Sequence, residues 1–247
     1  MIKLIACDLD GTLLPRGENR LTSALENKIK ACVASGVKFA VVSGRDYAAI
    51  RRVIDFLPDD IYFVCCGGSV CVKGGKTLYS KPVTAESVIS AIKAAKSSGK
   101  GLVLSSDRQV YVYGSEDFVS FVKNMYGEDA IPIACNRGVQ SPVYKISFYG
   151  EQSRVLEPSA HGLKLFYNRN GWEEYISRIA GKAEALSDLM IRTSVLASEV
   201  IAAGDDLCDV PMLKKAKRSF ALTRECANES GAEYVSDPSL IFEAARL

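Results

Sequence analysis

Two aspartates one residue apart, Asp8 and Asp10, follow directly on the apolar run Ile2, Leu4, Ile5 and Ala6, where a buried strand should simply end. Side chains two apart on an extended strand share a face, so both carboxylates can approach one region if the chain stays extended to Asp10. Gly11 then permits a sharp turn. Carboxylates side by side repel, and one keeps its proton unless a cation neutralises the pair. Three more acids, Asp205, Asp206 and Asp209, stand in "GDDLCD", Ser43 opens "SGR", and Lys182 begins a helical pattern. Asp205 offers a third oxygen ligand. An all-oxygen, water-retaining site of this kind suits Mg²⁺ far better than zinc or copper.

Each feature alone has an ordinary reading. A DxD after a strand is usually a solvated turn, and Thr12 or Asp10 can simply cap a helix. Ser followed by Gly is common where a strand turns into a helix, and a single lysine such as Lys182 is most often a surface residue. "GDDLCD" can be a helix start with acids near its positive end. The odds change because all four features lie in order at, or beside, the ends of separate predicted strands. In an open α/β sheet that is where the ligand crevice forms.

The elements that must position them alternate. Residues 2–7 read as a strand; Leu21, Leu25, Ile29 and Val33 recur at helical spacing up to Gly36; "VKFAVV" (37–42) is a second strand, apolar on both faces. A helix from Tyr47 to Phe56 and a third strand, "IYFVCC" (61–66), continue a parallel sheet covered by helices. Gly74-Gly75 then sits between "SVCVK" and "KTLYS" as a hairpin turn. Strands next come in runs: "GLVLSS", "QVYVYG", "YKISFY", "LKLFYN" and "WEEYIS", with helices over 84–98 and 116–126. This grouping predicts an α+β insertion over residues 81–176. The alternation returns from Lys182: a helix to Thr193, the strand "EVIAA", a helix from Leu207 to Lys217, the strand "SFAL", and short helical pieces ending at Leu247. The predicted fold is a doubly wound, mostly parallel α/β sheet built from residues 1–80 and 177–247 and interrupted by the inserted domain.

Composition narrows the function. With 31 basic and 29 acidic residues, the net charge of +2 creates no field able to capture nucleic acid, and no run of Lys or Arg forms a basic arm. No stretch approaches the roughly 20 apolar residues of a membrane span. The N-terminus lacks the pattern of a signal peptide, so a cytoplasmic protein is expected. Eight cysteines contain no CxxC pair, and His161 is the only histidine. Zinc sites and Ser-His-Asp or Cys-His mechanisms therefore have little to work with.

The ordered motifs resemble those of the haloacid dehalogenase superfamily of phosphatases: "DLDGTL" (8–13) its first, "VVSGR" its second, "GKAEAL" around Lys182 its third and "AAGDDLCDVPML" its fourth. The insertion after the third strand resembles the large α/β cap of the Cof-type branch, so the resemblance covers the whole chain. It implies an Mg²⁺-dependent phosphatase of small phosphorylated metabolites, sugar phosphates foremost. By the same resemblance Asp8 is the nucleophile that forms an aspartyl-phosphate, and Asp10 is the acid and base. Leu9, Ser43, Gly44 and Lys182 hold the phosphoryl oxygens. Asp205 joins Asp8 and the backbone carbonyl of Asp10 around the metal, with Asp206 and Asp209 as further acids at the site.

Two positions depart from the pattern. Cys66-Gly67 stands where the family commonly has Asn-Gly, and Asp206 and Cys208 replace a small residue and an Asn in the fourth motif. A thiol cannot supply an amide's paired donor and acceptor, which puts the phosphate surroundings and the substrate range in question more than the reaction. Tyr111, Tyr113, His161 and Lys164 are cap residues that could touch a substrate, and each has packing or surface exposure as its ordinary alternative. Three other readings stay open: a phosphomutase or phosphoryl transferase on the same scaffold, a receiver-type signalling module, and a silent metabolite-binding relative. The oligomeric state is not written in the sequence.

Overall fold

The computed structural model describes residues 1–151 and 155–245. Strand β1 (Leu4–Cys7) is buried at every position. Helix α1 (Ser23–Ala34) starts where the Thr22 hydroxyl accepts a hydrogen bond from the Leu25 amide, and it turns Leu25, Ile29 and Cys32 inward. Burying Leu25 and Ile29 contributes roughly 1.5–3 kcal/mol each. Strand β2 (Lys38–Val42), helix α2 (Tyr47–Val53) and strand β3 (Tyr62–Cys65) follow. Helix α2 is shorter than its sequence pattern. The chain turns out of the helix at Ile54, and the Arg51 guanidinium binds the carbonyls of Ile54 and Asp55.

Strands β4 (Val70–Lys73) and β5 (Lys76–Ser80) form the expected hairpin, with Gly74 and Gly75 at φ +55° and +67°. Positive φ at both central residues gives the turn a twist that matches the strands. Helix α3 (Ala85–Ser98), strands β6 (Gly101–Ser105) and β7 (Val110–Tyr113), helix α4 (Glu116–Tyr126) and strands β8 (Ala130–Pro132), β9 (Lys145–Tyr149), β10 (Leu163–Arg169) and β11 (Trp172–Ser177) come next. Helix α5 (Lys182–Thr193) and strand β12 (Val200–Gly204) return to the first layer. The helix expected over 207–217 is one 3-10 turn followed by the four-residue α6 (Val210–Leu213). Asp209, at the junction, turns its side chain back to cap the loop rather than continuing a helix. Strand β13 (Arg218–Ala221), helix α7 (Arg224–Ser230), strand β14 (Glu233–Tyr234) and helix α8 (Ser239–Ala244) complete the order. The expected helical end at Leu247 lies outside the described residues. Strands β8 and β14, of three and two residues, were too short to leave a periodic signal.

Two sheets result. The first has the order β14-β13-β12-β1-β2-β3-β4-β5 and is parallel except for the β4–β5 hairpin edge. Cys7 pairs with Ala203 on one side and Val41 on the other. The chain winds outward from β1 through β2 and β3 in one direction, and through β12 and β13 in the other. The boundary between β1 and β12 is thus a topological switch point, and its carboxyl end is open to a ligand. The second sheet, β10-β11-β9-β6-β7-β8, is made wholly of residues 101–177 and is antiparallel except for β7–β8. One of its faces packs Leu102, Leu104, Ile146, Phe148 and Tyr175 with α3 residues in a core of their own. No helix among the described residues is long and apolar enough to cross a membrane.

Candidate active site

Asp8 leaves the end of β1 with its amide bonded to the Ala203 carbonyl at 2.9 Å, beside the end of β12. It is 4% exposed. Lys182, first residue of α5 and equally buried, places its ammonium 2.7 Å from Asp8 Oδ1 and 2.6 Å from Asp209 Oδ1. The other Asp209 oxygen accepts from the amides of Asp205 and Asp206, both at 3.1 Å. Asp205 accepts from Arg16 Nη2 at 2.8 Å and from the Thr12 hydroxyl at 3.5 Å. Gly11, at φ +85°, makes room for it: a Cβ there would stand 2.1 Å from Asp205 Oδ2.

The outcome is a buried group of three carboxylates, Asp8, Asp205 and Asp209, with one oxygen from each lying within 4.8 Å of the others. Burial pushes the Asp8 carboxyl well up against the pull of Lys182, and pushes Asp205 up against Arg16. Desolvation acts on Lys182 in the opposite sense, yet Asp209 and Asp8 outweigh it and hold the ammonium above its ordinary value. Three carboxylates face one buried ammonium and one arginine whose side chain is 68% exposed. The negative surplus and the purely oxygen donors of these three residues fit a hard divalent cation.

Asp10 lies at the mouth of the cavity, gripped by Arg45, and its carboxylate is not part of the buried group. Leu9 sends its side chain into the core, and its carbonyl accepts from the Leu14 amide. Ser43 is fully buried; its hydroxyl accepts from the Arg45 amide at 3.1 Å, and it does not line the cavity, whereas Gly44 does. Asp206 stands at the rim, 3.3 Å from Arg169 of β10.

A cavity of about 370 Å³ opens above these groups, between the carboxyl end of the first sheet and one face of the second. Lys145 on β9 spans the two, donating to the Gly44 carbonyl at 3.0 Å and to Glu174 Oε1 at 2.7 Å. Arg52 of α2 makes a second link, to the Tyr126 carbonyl and the Asp129 carboxylate. Residues 5–226 match the family model described as haloacid dehalogenase-like hydrolase.

The chain belongs to the haloacid dehalogenase-like hydrolase family.

Its fold, with the inserted cap, is shared by solved structures of low sequence identity. A protein from Eubacterium rectale is 20% identical with a TM-score of 0.86, over 99% of this chain and 98% of that one. A haloacid dehalogenase-like hydrolase from Bacteroides thetaiotaomicron is 18% identical with a TM-score of 0.85, over 99% and 100% of the two chains. A sugar phosphatase of subclass IIB of the superfamily is 17% identical with a TM-score of 0.77, over 99% and 98%. No curated protein matches the sequence. Solved relatives in the superfamily include phosphatases.

Cys66 is fully buried at φ +51°, a left-handed conformation that Asn tolerates better than Cys, and its amide donates to the Arg45 carbonyl at 2.8 Å. Cys208 lines the cavity beside the buried carboxylates. Among the cap residues considered from sequence, Tyr111 is buried with its hydroxyl bonded to Gln109 and to the Gln140 amide, and Lys164 pairs with Glu184 at 3.7 Å. Neither they nor Tyr113 and His161 line the cavity. Sequence reasoning passed over Arg16, Arg45, Lys145 and Glu174, which do. For the cap pair the one available signal was the lysine and serine of "YKISFY" alternating with Ile146 and Phe148.

Proposed function

We propose that this protein is a metal-dependent phosphatase of small phosphorylated metabolites, sugar phosphates foremost, working through an aspartyl-phosphate on Asp8. The observation that carries the reading is the buried Lys182 ammonium bridging Asp8 and Asp209 at the floor of the cavity. A carboxylate meets a phosphate dianion productively only where positive charge is fixed beside both. Lys182 is such a charge, and its two hydrogen bonds hold it in place before substrate arrives.

Asp8, Asp205 and Asp209 would hold the metal, Mg²⁺ by the character of the donors, with the Asp10 carbonyl and Asp206 as neighbours. When bound, the ion supplies charge neutralisation that lets the carboxylates and a phosphoryl group coexist. An Asp8 oxygen attacks phosphorus in line, the bond from phosphorus to the leaving oxygen breaks, and Asp10 gives that oxygen a proton. Water then attacks the same phosphorus, Asp10 takes its proton, the bond to Asp8 breaks and phosphate departs. Gly44 borders the phosphoryl position, with Ser43 behind it. Residues 81–176 form the cap that excludes water and selects the leaving group. All eight cysteines are free, six of them buried, which accords with a reducing cytoplasm.

The test is release of free phosphate from p-nitrophenyl phosphate. Turnover is expected with Mg²⁺, to vanish with a chelator, and to fall below a thousandth in Asp8→Asn, by the loss typical of a missing nucleophile, on the order of 10⁴ or more. Full activity of the variant, or of chelated enzyme, would refute the reaction.

A further inference from the structure

We propose that Lys145 and Glu174 read the leaving group of the substrate, and that the group they select is uncharged and carries two adjacent free hydroxyls. The inference rests on the phosphatase reading of the site and adds to it which residues choose the substrate and what they choose.

On β9, Ile146 and Phe148 point into the core beneath α3, so Lys145 and Ser147 point the other way, to the cavity. Glu174 lies directly opposite Ser147 on β11 and shares that face. Its Oε1 accepts from Lys145 at 2.7 Å and from the Ser147 hydroxyl at 3.0 Å. Lys145 is 7% exposed and Ser147 3%. A buried ion pair is poor value for stability, since an apolar pair of similar volume usually does as well. On a cavity wall its use lies in what it leaves open.

Two valences are open. The ammonium has three hydrogens, of which two go to Glu174 and the Gly44 carbonyl. Glu174 Oε2 takes no hydrogen bond among the described residues. A donor and an acceptor side by side match a vicinal diol, one oxygen accepting from Lys145 while its neighbour donates to Glu174. Charge argues the same way. Lys145 is matched by Glu174, so this wall has no net positive charge for a second phosphate or a carboxylate, and the Glu174 oxygen would repel one. Phe166 and Trp172 supply apolar surface along the same cavity for the carbon face of such a group.

The experiment compares two matched pairs, ribose 5-phosphate with 2-deoxyribose 5-phosphate and glucose 6-phosphate with its 2,3-dideoxy analogue, each deoxy compound having no two adjacent free hydroxyls. Each is run beside p-nitrophenyl phosphate, whose leaving group has no diol. In the wild type the better-hydrolysed sugar phosphate is expected to exceed its deoxy partner in kcat/KM by about 10²-fold, because the deoxy compound leaves the buried pair unpaired. In Glu174→Gln and in the double variant Lys145→Met/Glu174→Gln that preference is expected to collapse to within a few-fold. The sugar-to-aryl ratio should fall by about 10² as well. Glu174→Gln keeps the shape of the wall, and thermal unfolding of both variants reports whether the cap still folds. Equal losses on sugar and aryl phosphates would assign the pair a structural role and overturn the proposal, as would an undiminished deoxy preference or a wild-type preference for fructose 1,6-bisphosphate. Wild-type p-nitrophenyl phosphate turnover reports the reaction separately, and its absence would refute the phosphatase reading and this selection with it.

Discussion

Arg45 grips Asp10 with both arms of its guanidinium, Nε to Oδ2 at 2.9 Å and Nη2 to Oδ1 at 2.5 Å. The pair is partly exposed at the cavity mouth, with Asp10 46% exposed at its side chain. The carboxylate is therefore oriented without being sealed away. In the proposed reaction one of those bonds opens when Asp10 meets a leaving oxygen.

The acid and base role proposed for Asp10 has a direct test. Asp10→Asn is expected to reduce kcat on alkyl phosphates by about 10²–10⁴, the range for a lost general acid. The loss on p-nitrophenyl phosphate should be distinctly smaller, since that leaving group departs without a proton. Equal losses on both, in steady-state assays, would remove Asp10 from proton transfer.

Asp209 is the most constrained carboxylate of the site. It is fully buried and accepts from two backbone amides as well as from Lys182. Asp209→Ala strips a buried ion pair of one partner and orphans the amides, so urea unfolding should show a loss of about 3–5 kcal/mol. Asp209→Asn keeps an oxygen for the amides and should lose less than half as much.

Metal binding should be visible without turnover. With Mg²⁺ at a hundred times its dissociation constant, stability rises by about 2.7 kcal/mol. For a chain of this size that is a shift in Tm of about 5–10 °C. Calorimetry in chelator and in Mg²⁺ checks it. Asp205→Asn should abolish most of the shift and Asp10→Asn should retain it, because the Asp10 carboxylate stands apart from the three buried acids.

The buried thiols predict an alkaline limit. Burial pushes Cys71, and likewise Cys32, up to about 12, whereas an unfolded thiol ionises near about 8.5. Between those values the unfolded chain has released the proton and the folded one has not. The unfolded state binds fewer protons there, and stability falls as pH rises, by about 1.4 kcal/mol per pH unit for each such thiol. The contribution is complete below about 8.5 and gone above about 12. Cys71→Ala should therefore become about 2 kcal/mol less costly, relative to wild type, on going from pH 8.5 to 10 in denaturant titrations.

Legibility from sequence tracked how far a residue broke a local rule. Asp8 and Asp205 stood out because charges follow strands that are otherwise apolar, and Lys182 because it opened a helix between two such strands. Arg16 gave no signal, since an arginine in a polar turn breaks nothing; only the contact with Asp205 makes it a site residue. Lys145 and Glu174 were hidden for a related reason. Alternation of polar and apolar residues is what any half-exposed strand shows, and only the stacking of the second sheet over the first turns that polar face into a cavity wall. The core strands were plain because a parallel sheet is apolar on both faces. Short pieces failed: β8 and β14, of three and two residues, are too short to repeat a two-residue alternation, and the helix predicted through 207–217 gave way to the demands of the Asp209 carboxylate.

The two sheets also differ in how much chain each must gather. The six cap strands lie within residues 101–177, so that sheet closes through local loops. The pairing of β1 with β12 and the contact of Lys182 with Asp8 join residues separated by 174 positions or more. Loop-closure entropy grows with the span to be closed, and contacts of such long range form slowly. The cap is thus self-sufficient in topology while the carboxylate cluster is the most non-local feature of the molecule: the three mutually repelling acids meet only when the chain has already supplied Lys182 to stand between two of them.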